Sequence, residues 1–113
     1  MDRHYKEAWE ELTAKGAPFS WSNIEIRNNL NRVYDSAPSN LVDIWSMSAA
    51  HGAKDYLIYG DERISYQEAH LKVNSFASYL HNLGIGHGDR VAILMRNYPE
   101  WVLTYWAVAS LGA

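Results

Sequence analysis

The sequence contains no cysteine, few prolines and no surplus of basic residues. Without cysteine there is no disulfide framework and no thiol chemistry, which fits a reducing compartment. Ten basic residues against thirteen acidic ones give a net charge of −3, so a basic surface for nucleic acid is not expected. The longest apolar run, residues 101–113, is far shorter than the roughly 20 residues that span a bilayer. The first residues are too acidic for a secretion signal. We therefore expect a cytoplasmic protein with no transmembrane segment and no nucleic-acid partner.

The composition is that of a folded chain. Apolar residues make up 48% of the sequence and charged residues 20%, which excludes a solvated disordered tail. A length of 113 residues suits one domain or a piece of a larger one. Five tryptophans and eight tyrosines indicate broad packed surfaces.

Residues 1–38 are predicted to form a helical N-terminal extension of two helices. In residues 2–15, apolar side chains recur at steps of three and four, and Gly16 ends the pattern. Ser22 and Glu25 then match a capping box that would begin a second helix. The buried stripe of that helix would consist of Ile26, Leu30, Val33 and Tyr34.

Residues 39–113 predict the start of a layered α/β domain. A helix capped by Ser39 or Asn40 is followed by a tight hairpin of residues 56–59 and 63–65. A second capping box, Ser65 and Glu68, begins a long helix that runs to residue 82. The unbroken apolar run of residues 91–95 predicts a strand covered on both faces. Residues 101–111 then predict a helix so apolar that it must lie between layers or belong to a chain that continues.

Three glycines precede the predicted strand: Gly84, Gly86 and Gly88. Glycines that hold a dinucleotide phosphate follow a strand and open a helix, where the helix amides meet the phosphate. Here the order is reversed, so the pattern favours a left-handed helix cap and a tight turn into the strand. Asp89 and Arg90 at the strand mouth are expected to pair or to cap locally.

The junction after the predicted strand is the better candidate for a site, because ligands gather at the carboxyl ends of strands in open α/β sheets. Asn97, Pro99 and Glu100 lie there, and all three are also typical of a helix start. The five histidines are scattered, and no metal-ligand spacing or nucleophile–base pair stands out. The residues alone therefore predict no catalytic constellation.

Six stretches in order resemble the opening of the AMP-forming acyl-CoA synthetase (adenylate-forming) superfamily. They are distributed over residues 40–113, about two thirds of the chain, and are NLVD (40–43), YLIYG (56–60), ISYQE (64–68), LHNLGIGHGDRVAI (80–93), NYPE (97–100) and AVASLGA (107–113). The matched positions, for which we expect structural roles, are Gly84, Gly88, Asp89, Arg90, Asn97, Pro99, Glu100 and Gly112.

The resemblance implies that residues 39–113 begin the AMP-binding N-terminal domain of a ligase. Such a ligase joins a carboxylic acid, here expected to be a fatty acid, to ATP with Mg²⁺ and then transfers the acyl group to coenzyme A. The family's Ser/Thr/Gly-rich phosphate loop, Thr-Glu metal segment, ribose-binding Asp and catalytic Lys are absent from this sequence. The resemblance therefore implies no catalytic, cofactor-binding or metal-binding residue here, and a chain that is inactive without the rest of its polypeptide.

Two other interpretations remain open. The chain can be a stand-alone, non-catalytic α/β module that binds a protein partner through its Trp-rich helix. It can also be a compact nucleotide-binding domain, although the position of its glycines argues against this.

Overall fold

The computed structural model describes residues 3–113 and divides the chain into two compact units, Met1–Ser39 and Asn40–Ala113. The first unit contains helix α1 (Arg3–Thr13) and strands β1 (Trp21–Ile26) and β2 (Asn29–Tyr34). The second contains helix α2 (Leu41–Ser48), a 3-10 turn (Ala49–His51), strands β3 (Asp55–Tyr59) and β4 (Glu62–Ser65), and helices α3 (Tyr66–Asn82) and α4 (Pro99–Ser110). Helices and small antiparallel sheets together confirm the α/β class.

Helix α1 has its predicted place, although the predicted first residue, Asp2, lies outside the described residues. The Thr13 hydroxyl donates to the Trp9 carbonyl at 2.7 Å, and Gly16 then takes a positive φ of 85° that ends the helical course. The Phe19 amide donates back to the Leu12 carbonyl at 3.1 Å. These bonds fold the segment after α1 onto its last turn.

The predicted second helix of the extension is wrong: its residues form an antiparallel hairpin of β1 and β2. Ile26 pairs with Asn29, and the two residues between them, Arg27 and Asn28, have φ values of 52° and 62°. Positive φ at both central positions is the turn whose twist matches that of two paired strands. Ser22 pairs with Val33 in the ladder and caps no helix. The extension is therefore one helix followed by a hairpin.

The second unit begins as its sequence predicts. Asn40 is the cap of α2, and its side chain accepts a hydrogen bond from the Asp43 amide at 2.9 Å. Strands β3 and β4 pair in a tight hairpin in which Tyr59 faces Glu62 and Gly60 takes a positive φ of 59°. The predicted hairpin is thus confirmed.

Helix α3 opens with the predicted capping box. The Glu68 amide donates to the Ser65 hydroxyl at 3.2 Å, and the Ser65 amide donates to the Glu68 carboxylate at 2.8 Å. The bonds that the Glu68 carboxylate accepts from the Ser65 amide and, at 2.7 Å, from the Ser65 hydroxyl lower the pKa of this exposed carboxyl. The core of the unit packs between α3, α4 and the hairpin, and consists of Trp45, Ile64, Ala69, Val73, Ala77, Leu80, Ala107 and Val108.

The strand predicted over residues 91–95 is not formed: this run has no regular secondary structure. Leu94 is fully exposed, so the run is not buried on both faces as its composition predicts. A strand exists only as part of a hydrogen-bonded ladder. Within residues 3–113 the ladders are β1 with β2 and β3 with β4, and neither includes this run.

Helix α4 is less enclosed than its apolar sequence predicts. Ala107 and Val108 are buried, whereas Trp101 and Tyr105 each retain 37% of their surface in contact with solvent. One side of the helix packs on the core and the other is open.

Candidate functional site at the two ends of residues 91–95

The matched family positions fall into two groups, one before and one after residues 91–95. Before it, Gly84 ends α3 with a φ of 91°, and its amide donates to the His81 carbonyl at 2.9 Å. The Ile85 amide donates to the Leu80 carbonyl at 3.1 Å, which completes a left-handed helix cap. Gly84 thus lies where the sequence predicts a cap, with its amide engaged by the helix.

Gly88 and Gly112 lie together, although the chain separates them by the whole of α4. The Gly88 amide donates to the Gly112 carbonyl at 2.9 Å, and both residues have positive φ, 86° and 73°. A Cβ placed on Gly112 would come within 2.6 Å of the His87 Nδ1 atom. Gly112 therefore serves a close approach between the end of α4 and the turn that follows α3, whereas nothing lies within 4 Å of a Cβ placed on Gly88, where the positive φ alone favours glycine.

The sequence predicts that Asp89 and Arg90 either pair with each other or cap locally, and the ion pair is not formed. The Asp89 carboxylate accepts a hydrogen bond from the Gly86 amide at 2.8 Å, so it caps the turn locally. Arg90 is exposed and has no acidic partner among residues 3–113. In this turn the glycine and aspartate amides bond to the protein itself, which leaves no set of amides directed at a phosphate.

At the other end of the run, the prediction that Asn97 caps α4 is wrong. The cap is Tyr98, which makes no side-chain hydrogen bond to the helix. Pro99 occupies the first turn, where its missing N–H costs nothing, and it is buried. Glu100 provides the acidic group of the first turn. The proline, rather than a polar cap, sets where this helix begins.

A cavity opens beside this junction. Its volume is about 280 Å³, and it lies between β3 and the start of α4. Two of the rings that line it, those of Tyr59 and Tyr98, meet edge to face with centroids 5.4 Å apart. The remaining lining is largely apolar and comprises Leu57, Ile58, Asn97, Pro99, Trp101 and Val102. Asn97 is thus an exposed amide at the rim of an apolar cavity, with no cation or general base beside it in the lining.

Between α2, α3 and α4 lies an aromatic cluster centred on Trp45, which is 4% exposed. Its ring stacks on His70 at a centroid distance of 3.9 Å and on Trp106 at 5.0 Å. Trp106 Nε1 donates to the Tyr56 hydroxyl at 2.8 Å. Burial raises the pKa of Tyr56, against the opposing effect of that hydrogen bond. The abundance of aromatic residues predicts packed surfaces, but the sequence carries no signal that places His70 among them.

Within this cluster Ser48 and His70 have the spacing of a nucleophile and its base. The Ser48 Oγ atom lies 3.0 Å from His70 Nε2, but it also lies 2.6 Å from the Trp45 carbonyl oxygen. A carbonyl only accepts, so the single Ser48 proton is donated there, and His70 Nε2–H must donate to Ser48. A base that has to take the serine proton is therefore not present. Burial lowers the pKa of His70, which favours the neutral ring.

No other catalytic or metal-binding set emerges from residues 3–113. No three His, Asp or Glu side chains among them converge on a point where a metal ion could be held. No helix among them is long and apolar enough to cross a membrane.

The chain matches the family model described as AMP-binding enzyme over residues 45–113, which is more than half of its length. Among curated proteins it is 36% identical over 66 residues to a medium/long-chain-fatty-acid–CoA ligase of Mycobacterium tuberculosis, covering 58% of this chain and 11% of that protein. It is 32% identical over 80 residues to a crotonobetaine/carnitine–CoA ligase of Salmonella paratyphi A, covering 66% of this chain and 16% of that protein.

It is also 41% identical over 49 residues to 4-coumarate–CoA ligase 2 of Oryza sativa subsp. japonica, covering 43% of this chain and 9% of that protein. The chain therefore spans about a sixth or less of the length of these relatives. No solved structure matches it. The family match begins within α2 and extends to the last residue, so it lies within the unit that holds the hydrophobic core. This chain belongs to the AMP-binding enzyme family, and the relatives it resembles are CoA ligases.

Proposed function

We propose that this chain is the N-terminal part of an ATP-dependent acyl-CoA synthetase. The complete enzyme activates a carboxylic acid as its acyl-adenylate with ATP and Mg²⁺, and then transfers the acyl group to coenzyme A. The observation that carries the proposal is the family match over residues 45–113, which lies within the folded second unit. Residues 39–113 are accordingly the beginning of the adenylation domain, and residues 1–38 precede it.

The substrate is a fatty acid, and the enzyme is cytoplasmic. Support for the substrate comes from the mycobacterial relative, whose name specifies medium- and long-chain fatty acids. The other relatives act, by their names, on carnitine or crotonobetaine and on 4-coumarate, so the acid is the part of the proposal most in need of a test. Support for the location is the absence of cysteine and of a spanning helix among residues 3–113.

The 113-residue chain alone is inactive. Stabilising the charge that develops on a transferring phosphoryl group needs cations or metal ions placed around it. The described residues offer no metal-binding set, and the one Ser–His contact has its proton committed to a carbonyl. In this proposal ATP, Mg²⁺ and coenzyme A are bound by the rest of the polypeptide, and the part described here supports their site from outside. Nucleic acid is not a partner.

The test compares the 113-residue chain with the complete polypeptide encoded by its gene. ATP–pyrophosphate exchange is measured with fatty acids of increasing length and, as controls, with carnitine and 4-coumarate. We expect acid-dependent exchange from the complete polypeptide, strongest with a fatty acid, and none from the 113-residue chain. Exchange by the short chain would contradict the proposed inactivity, and exchange driven only by 4-coumarate or carnitine would contradict the proposed substrate. A complete polypeptide inactive with every acid would overturn the function.

The stand-alone interaction module remains the alternative, and exposed apolar side chains argue against it. Leu94 is fully exposed and Met47 is 68% exposed, as expected of a surface that the rest of a longer polypeptide covers. A gene that ends at codon 113 and a cooperatively unfolding monomer that binds no hydrophobic dye would support this alternative. Dye binding and aggregation of the short chain would favour the ligase proposal.

A further inference from the structure

Strand β1 presents an outer edge whose backbone groups have no partner. The Asp35 amide donates to the Ser20 carbonyl at 2.9 Å, which places a hydrogen-bonded pair of residues directly before the β1–β2 ladder. Hydrogen-bonded and non-hydrogen-bonded pairs alternate along an antiparallel ladder, so the amides and carbonyls of Trp21, Asn23 and Glu25 point away from β2. No backbone hydrogen bond from elsewhere in residues 3–113 engages them. Such an unpaired row is a template for the addition of another strand.

The outer edge of β2 is a poorer place for the same addition. At its end, the Tyr34 carbonyl already accepts a hydrogen bond from the Ala37 amide at 3.1 Å. Arg32 lies at the middle of this edge, so two antiparallel copies of β2 paired along their full length would set Arg32 opposite its counterpart in the second copy. Like charges directly opposite each other destabilise a sheet. The edge that is open to a strand is therefore that of β1.

Strand β1 is complementary to a second copy of itself. Two antiparallel copies related by a two-fold axis at Asn23 place Trp21 of each copy directly opposite Glu25 of the other. Within one copy, the Arg32 guanidinium lies 3.9 Å from the centroid of the Trp21 ring, and no acid among residues 3–113 forms an ion pair with it. The Glu25 carboxylate of the second copy therefore arrives on the face of the sheet that carries this unpaired cation. Opposite charges at neighbouring positions of a sheet stabilise the pairing.

The opposite face of the hairpin also gains from this pairing. Ile24 and Ile26 are 42% and 46% exposed, and Val33, on the same face, is half-buried. A two-stranded hairpin is marginal in water, and three or more strands that share an apolar face are needed for stability. About the same two-fold axis, the two copies of Ile24 become diagonal neighbours, so the two small apolar faces join into one.

We propose that the β1 edge is a self-association surface, and that its occupant is the β1 edge of a second copy of this chain, in a four-stranded antiparallel sheet of order β2-β1-β1-β2. A two-fold contact closes on itself, so it produces a dimer and not a filament. The proposal goes beyond the proposed function, because the surface lies in the first unit, which the family match over residues 45–113 leaves outside.

Cysteine trapping tests the position of the two-fold axis, because the sequence itself contains no cysteine. Residues opposite each other in a hydrogen-bonded pair have Cα atoms about 5.5 Å apart, a distance that a disulfide bridges. We expect the Asn23→Cys variant to form a disulfide-linked dimer under mild oxidation. Leu30→Cys controls for chance collision, since Leu30 lies on the β2 edge and is 74% exposed, and it should cross-link at least ~10-fold more slowly. Equal rates for the two variants would overturn the proposal.

Charge reversal tests the contact between Glu25 and Arg32, by sedimentation velocity over a range of protein concentrations. Glu25→Lys sets a like charge beside Arg32 twice in each dimer, so we expect the dissociation constant to increase at least ~10-fold. The double variant Glu25→Lys/Arg32→Glu reverses both signs and should recover most of the loss. Glu11→Lys makes the same change of charge at an exposed position of α1 and should leave the dissociation constant unchanged. Circular dichroism checks that each variant is folded.

Three further outcomes overturn the proposal. A chain that stays monomeric at every concentration has no such surface, and association that Glu25→Lys does not weaken uses a different one. Association of the 113-residue chain that is absent from the complete polypeptide would identify a later segment of the same polypeptide as the occupant of the edge. These readouts need neither ATP nor an acid, so failure of dimerisation and failure of pyrophosphate exchange are distinguishable.

Discussion

The two units of the chain are stabilised in different ways. The second unit has a contiguous core of eight buried residues, whereas the first, over residues 4–39, buries only Ser20. Large apolar side chains of the first unit face solvent, with Leu30 74% exposed and Tyr5 57% exposed. A two-stranded hairpin is marginal by itself in water, and a helix as short as α1 gains most of its stability from packing. The first unit therefore depends on local hydrogen bonds and turns, and the second on burial.

This difference coincides with the extent of the family match, which starts within the second unit and leaves the first outside it. A core tolerates little change in volume or shape, because its side chains interlock at crystal-like density. A segment held by local bonds has fewer such constraints. Paired substitutions, one in each unit, test this difference in how the units are stabilised.

The largest expected effect is that of Trp45→Ala compared with Trp9→Ala. Trp45 is 4% exposed and stacks on two rings, so its truncation is expected to cost about 3–5 kcal/mol of unfolding free energy. Trp9 is 45% exposed, and its truncation is expected to cost less than about 1 kcal/mol. Urea unfolding followed by circular dichroism measures both. If Trp45→Ala does not fold, Trp45→Phe gives a smaller loss in the same direction, and equal losses at the two tryptophans would contradict the difference between the units.

The next largest difference in stability is expected between Gly112→Ala and Gly16→Ala. Both glycines have positive φ, 73° and 85°, so each alanine variant should lose about 1 kcal/mol to backbone strain. Only at Gly112 does the new Cβ meet another residue, 2.6 Å from His87 Nδ1, whereas nothing lies within 4 Å at Gly16. Gly112→Ala should therefore be the more costly variant in thermal unfolding. The double variant His87→Ala/Gly112→Ala should recover the additional stability that Gly112→Ala loses relative to Gly16→Ala. If it does not, the contact with His87 does not contribute to the cost of the substitution.

A smaller difference is expected between Ser65→Ala and Ser22→Ala, which remove the serine of two identical sequence patterns. Ser65 caps α3 through the Glu68 amide, so its loss should cost about 1 kcal/mol. Ser22 lies in β1, and its replacement should change stability by no more than about 0.5 kcal/mol. Chemical denaturation of the two variants measures the loss of unfolding free energy in each. A comparable loss at Ser22 would indicate that the extension is helical in solution after all.

The smallest expected effect is on the pH dependence of stability. Burial lowers the pKa of His70 below its ordinary value of 6.5, so between the folded and unfolded pKa the unfolded chain binds more protons. Stability contributed by neutral His70 is thus complete above pH 6.5 and declines as the pH falls from there toward the folded pKa. His70→Phe keeps a ring against Trp45 and removes this titration, so the difference between the two stability curves should show the decline. Stability that increases on acidification would mean that stacking of the charged imidazole on the indole outweighs burial.

Most of the second unit could be predicted from the sequence because its signals are local. The Ser65 and Glu68 capping box, the turn at Gly60 and the glycine that ends α3 depend on residues within a few positions of each other. The predictions that failed depend on contacts between residues distant in the sequence, or on an apolar periodicity observed over only a few residues. In residues 22–34 a stripe at steps of three and four competes with an alternation of Ile24 and Ile26, and so short a window fits both a helix and a strand.

For the candidate site, the sequence predicted helix-start and turn residues but not their partners. The contact of Gly88 with Gly112 and the stacking of His70 on Trp45 join positions distant in the chain. Nothing in the spacing of these residues signals that they meet. The strand predicted over residues 91–95 is wrong for a related reason: apolar composition is a local signal, whereas a strand forms only in a ladder, and neither ladder within residues 3–113 includes this run.

The hydrogen bond between Gly88 and Gly112 also bears on the order in which the protein folds. It closes a ring that contains residues 91–95 and all of α4, and closing such a ring costs on the order of 3 kcal/mol in chain entropy before the contact is gained. The β3–β4 hairpin and α3 involve only near neighbours and can form within microseconds. The ring should therefore close late, onto a hairpin and helix that already exist. During synthesis on the ribosome, α3 is then folded before α4 packs against it, and the side of α4 that carries Trp101 and Tyr105 stays open to solvent after the ring has closed.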